Sequence, residues 1–508
     1  MTTSDRFRHP GPALALFLAG LTLAAAVQAQ APDAAPQKAP RTVRQRLAPC
    51  HLPGLEEALC GTYPVWENRV TKSGRKIPLN IIVLPAKSPD PAPDPIFELA
   101  GGPGQGATEG AAELAEVYGG LRSQRDVVLV DTRGTGRSNP LNCALPGSAD
   151  DLQGYLHDLF PLDALRACVK KLDADPALYT SETAMDDLDE VRAWLGYERI
   201  NLSAGSYGTR AAEVYLRRHP EHARSALLIG YVPLEARMPF YMARQSQIAL
   251  DKVFDDCAAA PACRAAFPDP KGELAAVLAR FEKGPARDTL VHPKTGKPVE
   301  LTLSKSSFTT TLRSMQYSPT LYTKLPLYLH RAFLGDWAPF LRQAVGYFDD
   351  PSWAIGLYLS VTCAEDVARI DPAAVAREAA GTYLGDDRVR QQRAACAFWP
   401  AAKLSPEFWE PRQIPTPVLL VSGWLDPATP PEWAAAAKGT FPNSANLLLR
   451  EGAHGPGGLS HPECILRIIE DFFANGTAIG LDTSCAREMK RPAFALALPA
   501  APAPPAVP

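Results

Sequence analysis

The sequence lacks an excess of charge of either sign. Its 508 residues include 52 lysines and arginines and 55 aspartates and glutamates, which gives a formal net charge of −3. Proteins that bind nucleic acid or an anionic membrane present a basic face, and this composition provides no surplus for one. We therefore expect neither nucleic acid nor a stably bound membrane among the partners.

The apolar run near the N-terminus is too short to span a bilayer. The uncharged segment Ala13–Val27 has 15 residues, whereas a spanning helix needs about 20. Arg6 and Arg8 precede it, and the residues up to Ala29 fit the small-x-small rule for cleavage. We predict a signal peptide over residues 1–29 and an exported protein, periplasmic or extracellular. A retained membrane anchor is the alternative.

The Cys-x-x-Cys pair typical of zinc ribbons and thioredoxin-like sites is absent. An even number of cysteines in an exported chain favours disulfides. The simplest arrangement joins each cysteine to its nearest neighbour in sequence, although spacing alone does not fix the connectivity. Free buried thiols are the alternative. The ten residues are Cys50, Cys60, Cys143, Cys168, Cys257, Cys263, Cys363, Cys396, Cys464 and Cys485.

Short apolar runs that end in turn residues recur in the first and last parts of the chain. Such runs are typical of strands buried on both faces of a parallel sheet, and helical patterns lie between them. Alternation of strand and helix predicts an α/β fold with a mostly parallel sheet flanked by helices. The predicted strands are 77–84, a strand from 95, 126–131, 199–205, 225–230, 417–423 and 445–452.

The middle of the chain, from about Val232 to Ser405, lacks this alternation and is predicted to be mostly helical. We interpret it as a large helical lid inserted between two halves of one core. Two tandem domains are the alternative, but the two late strands would then have too few partners for a sheet. The predicted organisation is a signal peptide (1–29), a flexible extension (30–59), the first core half (60–232), the lid (233–408), the second core half (409–488) and a disordered Pro/Ala tail (489–508).

Ser206 lies in the pattern Ala204-Gly205-Ser206-Tyr207-Gly208, between a predicted strand and a predicted helix. A nucleophile elbow requires that context, with small residues two positions before and after the serine. An ordinary turn serine shares the local pattern. The decision therefore depends on whether the chain also supplies a base and an acid to orient it.

The two late strands supply both groups. Asp426 follows the strand 417–423, and His454 stands in a glycine-rich loop after 445–452, so that the order is Ser, Asp, His. We expect His454 to accept the serine proton and Asp426 to orient the imidazole. Asp131 also ends a predicted strand, but it precedes Ser206 and its glycine-rich turn is interpreted as structural.

The loop Gly101–Gly104 is a candidate oxyanion loop because its glycines allow close approach of the backbone. The backbone N–H groups of Gly102 and Tyr207 are the predicted donors. A phosphate-binding loop is the alternative, but the segment lacks the Gly-x-Gly-x-x-Gly register and a following Lys-Ser or Lys-Thr.

These motifs together resemble the proline iminopeptidase and tripeptidyl aminopeptidase group of α/β-hydrolase serine peptidases, in particular its larger exported members. The motifs are GGPGQ, DVVLVDTRGTGRS, AGSYGTR, LDPATP and AHG, and the resemblance covers about residues 60–490. It implies the α/β-hydrolase fold and a serine exopeptidase that acts on free peptide N-termini without a metal or organic cofactor. Ser206, Asp426 and His454 match the triad of the group. Ala100 and Ala204 depart from its pattern, since many relatives have His and Gly there.

The resemblance also suggests a substrate-binding pair. Aminopeptidases of this group hold the substrate ammonium with carboxylates from the lid, and Glu365 and Asp366 are the candidates. Surface ion pairs are the alternative role for these two residues. Short peptides are the expected substrates, and a secreted carboxylic ester hydrolase with the same triad is the alternative enzyme. A binding module without activity is the other class considered, and the sequence does not predict an oligomeric state.

Overall fold

The computed structural model of the chain describes residues 42–348 and 353–498. The predicted signal peptide (1–29), the first part of the predicted extension and the last ten residues of the predicted tail lie outside the described residues. The strands are β1 (Ala48–Leu52), β2 (Leu55–Trp66), β3 (Lys76–Leu84), β4 (Ile96–Leu99), β5 (Val127–Val130), β6 (Ile200–Gly205), β7 (Ala223–Ile229), β8 (Ala286–Val291), β9 (Pro298–Leu303), β10 (Val418–Gly423) and β11 (Ser444–Leu449).

Within the described residues, nine of these strands form one sheet in the order β1-β2-β3-β5-β4-β6-β7-β10-β11. The pairs β1–β2, β2–β3 and β3–β5 are antiparallel, and the pairs from β5 to β11 across the rest of the sheet are parallel. All seven predicted strands are present. The near-continuous apolar runs form them because strands such as β5 and β10 are buried along their whole length.

The helices of the described residues flank this sheet or build the lid. They are α1 (Thr42–Arg46), α2 (Ala111–Val117), α3 (Leu162–Val169), α4 (Ser181–Leu195), α5 (Tyr207–Arg218), α6 (Met242–Ala259), α7 (Pro261–Ala266), α8 (Pro270–Phe281), α9 (Lys305–Met315), α10 (Pro319–Tyr322), α11 (Leu325–Phe333), α12 (Ala338–Phe348), α13 (Ile355–Glu365), α14 (Pro372–Ala379), α15 (Asp387–Cys396), α16 (Pro431–Ala436) and α17 (Pro462–Asn475). None of the described helices has both the length and the apolar composition that a membrane crossing requires.

The sheet lies between two helical layers. Met185 and Leu188 of α4 and Tyr215 of α5 are buried in one hydrophobic cluster with strand residues, and Ile468 and Phe472 of α17 are buried in another. Because the two clusters use alternate side chains of the same strands, each face of the sheet is covered. The predicted α/β fold is confirmed.

The lid joins two strands that are neighbours in the sheet. β7 ends at Ile229, β10 begins at Val418, and the two strands pair directly in parallel register. The segment between them adds no strand to the nine-stranded sheet of the described chain. It has its own hydrophobic cluster, which includes Phe308 and Phe340. The chain therefore has one sheet with an insertion, rather than two tandem domains.

The lid is mostly helical, as predicted, but it also contains a hairpin that the sequence analysis did not predict. β8 and β9 pair as an antiparallel hairpin with Ala286 opposite Leu303. In β8, Leu290 is buried and the other five residues are exposed or half-buried. The polar composition of this hairpin concealed it, because only one face packs on the lid.

Two terminal segments predicted to lack structure are folded where the structure describes them. In the predicted extension, residues 42–59 form α1, β1 and the start of β2, which adds antiparallel strands to the sheet edge. In the predicted tail, Met489 and Phe494 are buried, and Ala495 N donates to Thr323 O at 3.1 Å. Both segments were mispredicted for the same reason. Each has only a few buried apolar residues, and these are too widely spaced to produce the periodic pattern from which a helix or strand is predicted.

All ten cysteines lie in the described residues and form disulfides between nearest neighbours in sequence, which is the simplest of the predicted arrangements. Disulfides of this number are compatible with an oxidising compartment. The pairs are Cys50–Cys60, Cys143–Cys168, Cys257–Cys263, Cys363–Cys396 and Cys464–Cys485.

Candidate active site

Ser206 stands alone between the end of β6 and the start of α5 with a strained backbone. Its φ is 54° and its ψ is −124°, a conformation that non-glycine residues rarely adopt. The Ser206 N–H donates to the Ile229 carbonyl at the end of the neighbouring β7, at 2.9 Å. Strain of this kind is concentrated at functional sites, and the geometry is that of a nucleophile elbow.

Close packing explains the small residues around Ser206. A Cβ on Gly208 would lie 2.9 Å from the Ala100 carbonyl oxygen and would also overlap that of Leu99. Glycine at this position therefore lets α5 approach the end of β4. Ala204 is 1% exposed between β4 and β7, so the space two residues before the serine accepts a methyl group.

Asp426 and His454 lie together, just beyond the ends of β10 and β11. His454 Nδ1 is 2.8 Å from Asp426 Oδ2 and 3.0 Å from Asp426 Oδ1. The Asp426 side chain is fully buried and that of His454 is 13% exposed. The carboxylate fixes the ring with Nδ1 towards itself, which leaves Nε2 as the nitrogen that can accept a proton from a serine.

His454 also borders the turn after β7, on the side of the serine. A Cβ on Gly230 would lie 3.3 Å from His454 Cε1, and Gly230 directly follows Ile229, the residue that accepts from Ser206 N. The structure thus brings the three residues of the predicted triad to the same edge of the sheet, where β6, β7, β10 and β11 end.

Thr429 is a member of this site that the sequence did not reveal. Its hydroxyl donates to Asp426 Oδ2 at 2.5 Å and lies 3.2 Å from His454 Nδ1. The Asp426 carboxylate accepts two further hydrogen bonds through Oδ1, from the N–H groups of Ala428 and Thr429. These donors fix the orientation of the buried carboxylate. A threonine three residues after an aspartate is common in turns, so sequence alone gave no signal.

The lid contributes Tyr317, which the sequence analysis also missed. Its ring lies edge-on to that of His454, with centroids 4.8 Å apart, and its carbonyl oxygen accepts from His454 N at 3.2 Å. The catalytic-site histidine is therefore held from two sides, by the core through Asp426 and by the lid through Tyr317.

The Gly101–Gly104 loop lies against Ser206. A Cβ on Gly101 would be 3.3 Å from Ser206 Cβ, and Gly102 has a φ of 106°. Residues after α12 hold the loop in place, since Trp353 Nε1 donates to the Pro103 carbonyl at 2.9 Å and Ala354 N donates to that of Gly104 at 3.0 Å. Tyr207 is the first residue of α5, where backbone N–H groups lack helical partners. Gly102 and Tyr207 remain the proposed oxyanion donors.

The expected ammonium-binding pair, Glu365 and Asp366, is buried instead of facing the cleft. Asp366 is 1% exposed, and both of its carboxylate oxygens pair with Arg210 Nη1, at 2.8 and 2.9 Å. Arg210 already neutralises the negative charge that would attract a substrate ammonium group. The predicted role of Asp366 is therefore not supported. The alternative of surface ion pairs is wrong as well, because the pair is internal.

Glu365 is likewise engaged by the core. It is fully buried, and it accepts from Ser181 N and Ser181 Oγ, both at 2.8 Å. Burial, offset in part by Arg210, raises the pKa of Glu365 to about 7. Ser181 Oγ also lies 2.8 Å from the Tyr207 hydroxyl, so Glu365 reaches the elbow only through an intervening side chain. Its contacts join the lid to the core.

Two other polar residues near the site, Asp131 and Ser203, have structural partners. Asp131 is fully buried and accepts from Thr108 N, Thr108 Oγ1, Arg137 N and Asn80 Nδ2, at 2.8–3.0 Å. Its turn is therefore structural, as expected. Ser203 is 2% exposed inside β6 and lies 2.5 Å from the Tyr118 hydroxyl.

One group of described side chains away from this site has the composition of a metal site. Asp189, His219 and His222 offer ligand atoms that lie within 4.8 Å of one another. Arg192 Nε donates to Asp189 Oδ1 at 2.7 Å, and the Tyr215 hydroxyl donates to the same oxygen at 2.9 Å. The carboxylate is thus already neutralised by a guanidinium, which disfavours a second cation there.

Two family models match the chain on either side of the middle of the lid. Residues 100–273 match the model described as "alpha/beta hydrolase fold", and residues 382–485 match the model described as "TAP-like protein". Together the matched segments take up more than half of the chain. The chain has the α/β-hydrolase fold, and its predicted resemblance to the tripeptidyl aminopeptidase group is confirmed.

The curated relatives agree with this assignment. A tripeptidyl aminopeptidase from Streptomyces lividans is 24% identical over 418 residues, which cover 76% of this chain and 75% of the relative. The serine protease Hip1 from Mycobacterium tuberculosis is 25% identical over 478 residues, covering 84% and 87%. The solved proline iminopeptidase of Mycobacterium smegmatis is 16% identical with a TM-score of 0.41, covering 82% of this chain and 98% of that one, a match too distant to bear on function.

Proposed function

We propose that the chain is an exported serine peptidase that cleaves short peptides from a free N-terminus through an acyl-enzyme intermediate. The observation that carries the proposal is the pairing of a strained elbow serine with a buried Asp426–His454 hydrogen bond of 2.8 Å, at one edge of the sheet. The relatives named as a tripeptidyl aminopeptidase and a serine protease support amide bonds as the substrate. The N-terminal apolar run and the disulfides support export.

The reaction follows from the orientation of the imidazole. His454 Nε2 accepts the proton of Ser206 Oγ as the oxygen attacks the scissile carbonyl carbon, and the resulting oxyanion accepts hydrogen bonds from the N–H groups of Gly102 and Tyr207. The tetrahedral species then collapses. The C–N bond breaks as His454 delivers its proton to the leaving amine. The acyl group remains on Ser206 Oγ as an ester.

Water completes the cycle by the same route. His454 removes a proton from a water molecule that attacks the ester, and returns it to Ser206 Oγ when the acyl group departs. Asp426 holds the ring through Nδ1 and stabilises the imidazolium formed in each half of the cycle. The donors on Asp426, from Ala428 and Thr429, hold it in the orientation that this role needs.

The lid is the part of the molecule that would select termini. It contributes Tyr317 beside His454, and it fixes the oxyanion loop through Trp353 and Ala354. A covered site of this kind admits chain ends more easily than the middle of a folded protein. The group that binds the substrate ammonium is not Asp366, since Arg210 already neutralises it.

Cleavage of matched peptides with free and N-acetylated termini, together with a short acyl ester, tests the proposal. We expect the mature protein to cleave only the free-amine peptides, and Ser206→Ala to lower kcat by about 10⁴-fold or more. Ser138→Ala serves as a matched serine control, because Ser138 is buried and its hydroxyl accepts from Asn80 N in a structural turn. Turnover of the ester with all peptides untouched would instead establish the carboxylic ester hydrolase.

A further inference from the structure

The lid places a guanidinium that has no counter-charge among the described residues next to the candidate active site. Arg313 lies near the end of α9, with Nε donating to Ser246 Oγ at 3.1 Å and Nη2 donating to the Tyr317 hydroxyl at 2.7 Å. Ser246 is fully buried and donates in turn to the carbonyl oxygen of Pro427, the neighbour of Asp426. Arg313 is thereby fixed between the lid and the Asp426 loop.

All of the partners of Arg313 among the described residues are neutral. No described carboxylate lies within salt-bridge distance of it, and its contacts are the hydroxyls of Ser246 and Tyr317 and the Tyr317 ring, whose centroid lies 5.0 Å from Cζ. The remaining nitrogen, Nη1, has no acceptor among the described residues and is not sealed off from solvent. Within the described part of the chain, the guanidinium therefore keeps an open donor and a charge that no carboxylate balances.

An unpaired arginine in a half-buried position is costly, because part of its hydration is lost and no ion pair replaces it. Two buried arginines, Arg210 and Arg192, are paired with Asp366 and Asp189, whereas the half-buried Arg237 and Arg388 donate, like Arg313, to tyrosine hydroxyls. A ligand that brings a carboxylate would supply the missing partner, and a guanidinium recognises carboxylates through two parallel N–H donors.

The position of Arg313 indicates which part of a substrate would supply that carboxylate. Its Nη2 partner, Tyr317, packs edge-on against His454 at 4.8 Å between centroids. His454 gives its proton to the leaving amine, so the residues after the scissile bond lie on the His454 side of the site. A negatively charged group on the leaving portion of a peptide therefore passes closest to Arg313.

We propose that Arg313 forms a carboxylate-binding subsite for the leaving portion of the substrate, so that the enzyme prefers peptides that carry a carboxylate after the scissile bond. This inference rests on the proposed peptidase function and adds a substrate preference to it. The carboxylate is either the C-terminus of a short peptide or the side chain of an acidic residue, since both present the same chemistry to a guanidinium.

Two substrate series separate these sources. The first consists of alanine peptides of two to five residues with free amino termini, each as the C-terminal acid and as the amide. The second consists of amidated peptides that carry Glu or Gln at each position in turn. We expect kcat/KM to be about 10- to 100-fold higher for the carboxylate member of at least one series, the range typical of a charge-assisted hydrogen bond.

Replacement of Arg313 identifies the residue responsible. Arg313→Gln should remove this preference by lowering kcat/KM for the carboxylate substrates alone, and Arg313→Lys should retain part of it because the charge remains. Tyr317→Phe removes the hydroxyl partner and keeps the guanidinium, so it should retain the ratio between acid and amide whatever its effect on kcat. Arg342→Gln, at an exposed position of α12, is the matched control and should leave both substrates unaffected.

The outcomes distinguish the inference from the proposed function. Cleavage of free-amine peptides with equal kcat/KM for acid and amide contradicts the subsite and leaves the peptidase in place. An equal loss on both substrates in Arg313→Gln also contradicts the subsite, because it indicates a structural role. A protein that cleaves none of the peptides contradicts both proposals. Calorimetric titration of Ser206→Ala with the same acid and amide peptides provides a readout without turnover, and tighter binding of the acid that Arg313→Gln abolishes is the expected result.

Discussion

Arg210 and Asp366 join the helix of the nucleophile to the lid across 156 residues of sequence. Arg210 stands four residues after Ser206 on α5, and Asp366 directly follows α13. The guanidinium donates to both carboxylate oxygens at 2.8 and 2.9 Å, and it also donates to the carbonyl oxygens of Pro233 and Ala236 where the chain enters the lid. The base of the lid is thus anchored beside the elbow.

Removal of one member of this pair should lower the free energy of unfolding far more than replacement of both members by apolar residues. Asp366→Ala leaves a buried guanidinium without its partner, and we expect the free energy of unfolding to fall by about 3–5 kcal/mol. The double variant Arg210→Met/Asp366→Leu leaves no unpaired charge and should be clearly more stable than the single variant. Urea unfolding of the three proteins measures this, and equal losses in the two variants contradict the argument.

The two glycines that flank Ser206 should differ in their tolerance of alanine. Gly208→Ala forces a methyl group against the carbonyl oxygens of Leu99 and Ala100, and we expect a loss of about 1–3 kcal/mol together with lower activity. Gly205→Ala meets no heavy atom within 4 Å and should change stability by less than about 1 kcal/mol. Thermal unfolding of both variants checks the contrast. A tolerant Gly208 would show that α5 can shift away from β4.

Loss of the Thr429 hydroxyl should slow catalysis while the fold is retained. The hydroxyl donates to Asp426 Oδ2 at 2.5 Å, and a hydrogen bond to a charged group of this kind is worth about 1.5–3 kcal/mol. We expect Thr429→Val to lower kcat by about tenfold or more with little change in KM, and Thr429→Ser to keep most of the rate. If the serine variant is as slow as the valine variant, shape rather than hydrogen bonding explains the effect.

The buried Glu98 should make stability depend on pH. Glu98 accepts from the Tyr118 hydroxyl at 2.7 Å, and burial raises its pKa from 4.5 to about 7. Between these pH values the folded state therefore retains a proton that the unfolded chain has released. The contribution of Glu98 to the free energy of unfolding is complete below about pH 4.5 and is lost as the pH rises through 7. The difference in pKa corresponds to about 3 kcal/mol.

Glu98→Gln removes this titration. We expect the variant to gain stability relative to the wild type as the pH is raised from about 5 to 8, by up to about 3 kcal/mol in the free energy of unfolding. Urea unfolding of both proteins at the two pH values measures the difference. Parallel pH profiles for the two proteins contradict the raised pKa.

The parts of this molecule that were predictable from sequence are those with a local signal. Seven sheet strands are near-continuous apolar runs. Ser206 directly follows β6, and Asp426 and His454 stand three and five residues after the ends of β10 and β11. Their convergence follows from the geometry of parallel sheets, in which strand ends with the same direction share an edge. Correct strand prediction was therefore enough to bring the three residues together.

The contacts that were missed join distant segments of the chain. The partner of Asp366, Arg210, is separated from it by most of the lid, and Tyr317 reaches His454 only because α9 and α10 pack over the core. The edge strands β1 and β2 and the hairpin β8–β9 were missed for another reason. They bury only part of their surface, so their sequences lack the strong apolar pattern of central strands.

The pattern of the disulfides has a consequence for the oxidative folding of the chain. Each of them joins consecutive cysteines, at sequence separations from 6 to 33 residues, and none crosses from one half of the core to the other. A chain that enters an oxidising compartment from its N-terminus therefore presents each cysteine to its native partner as the next one to arrive. Pairing in order of emergence yields the native set without thiol–disulfide exchange between bonds, so oxidation can proceed before the two halves of the sheet have met.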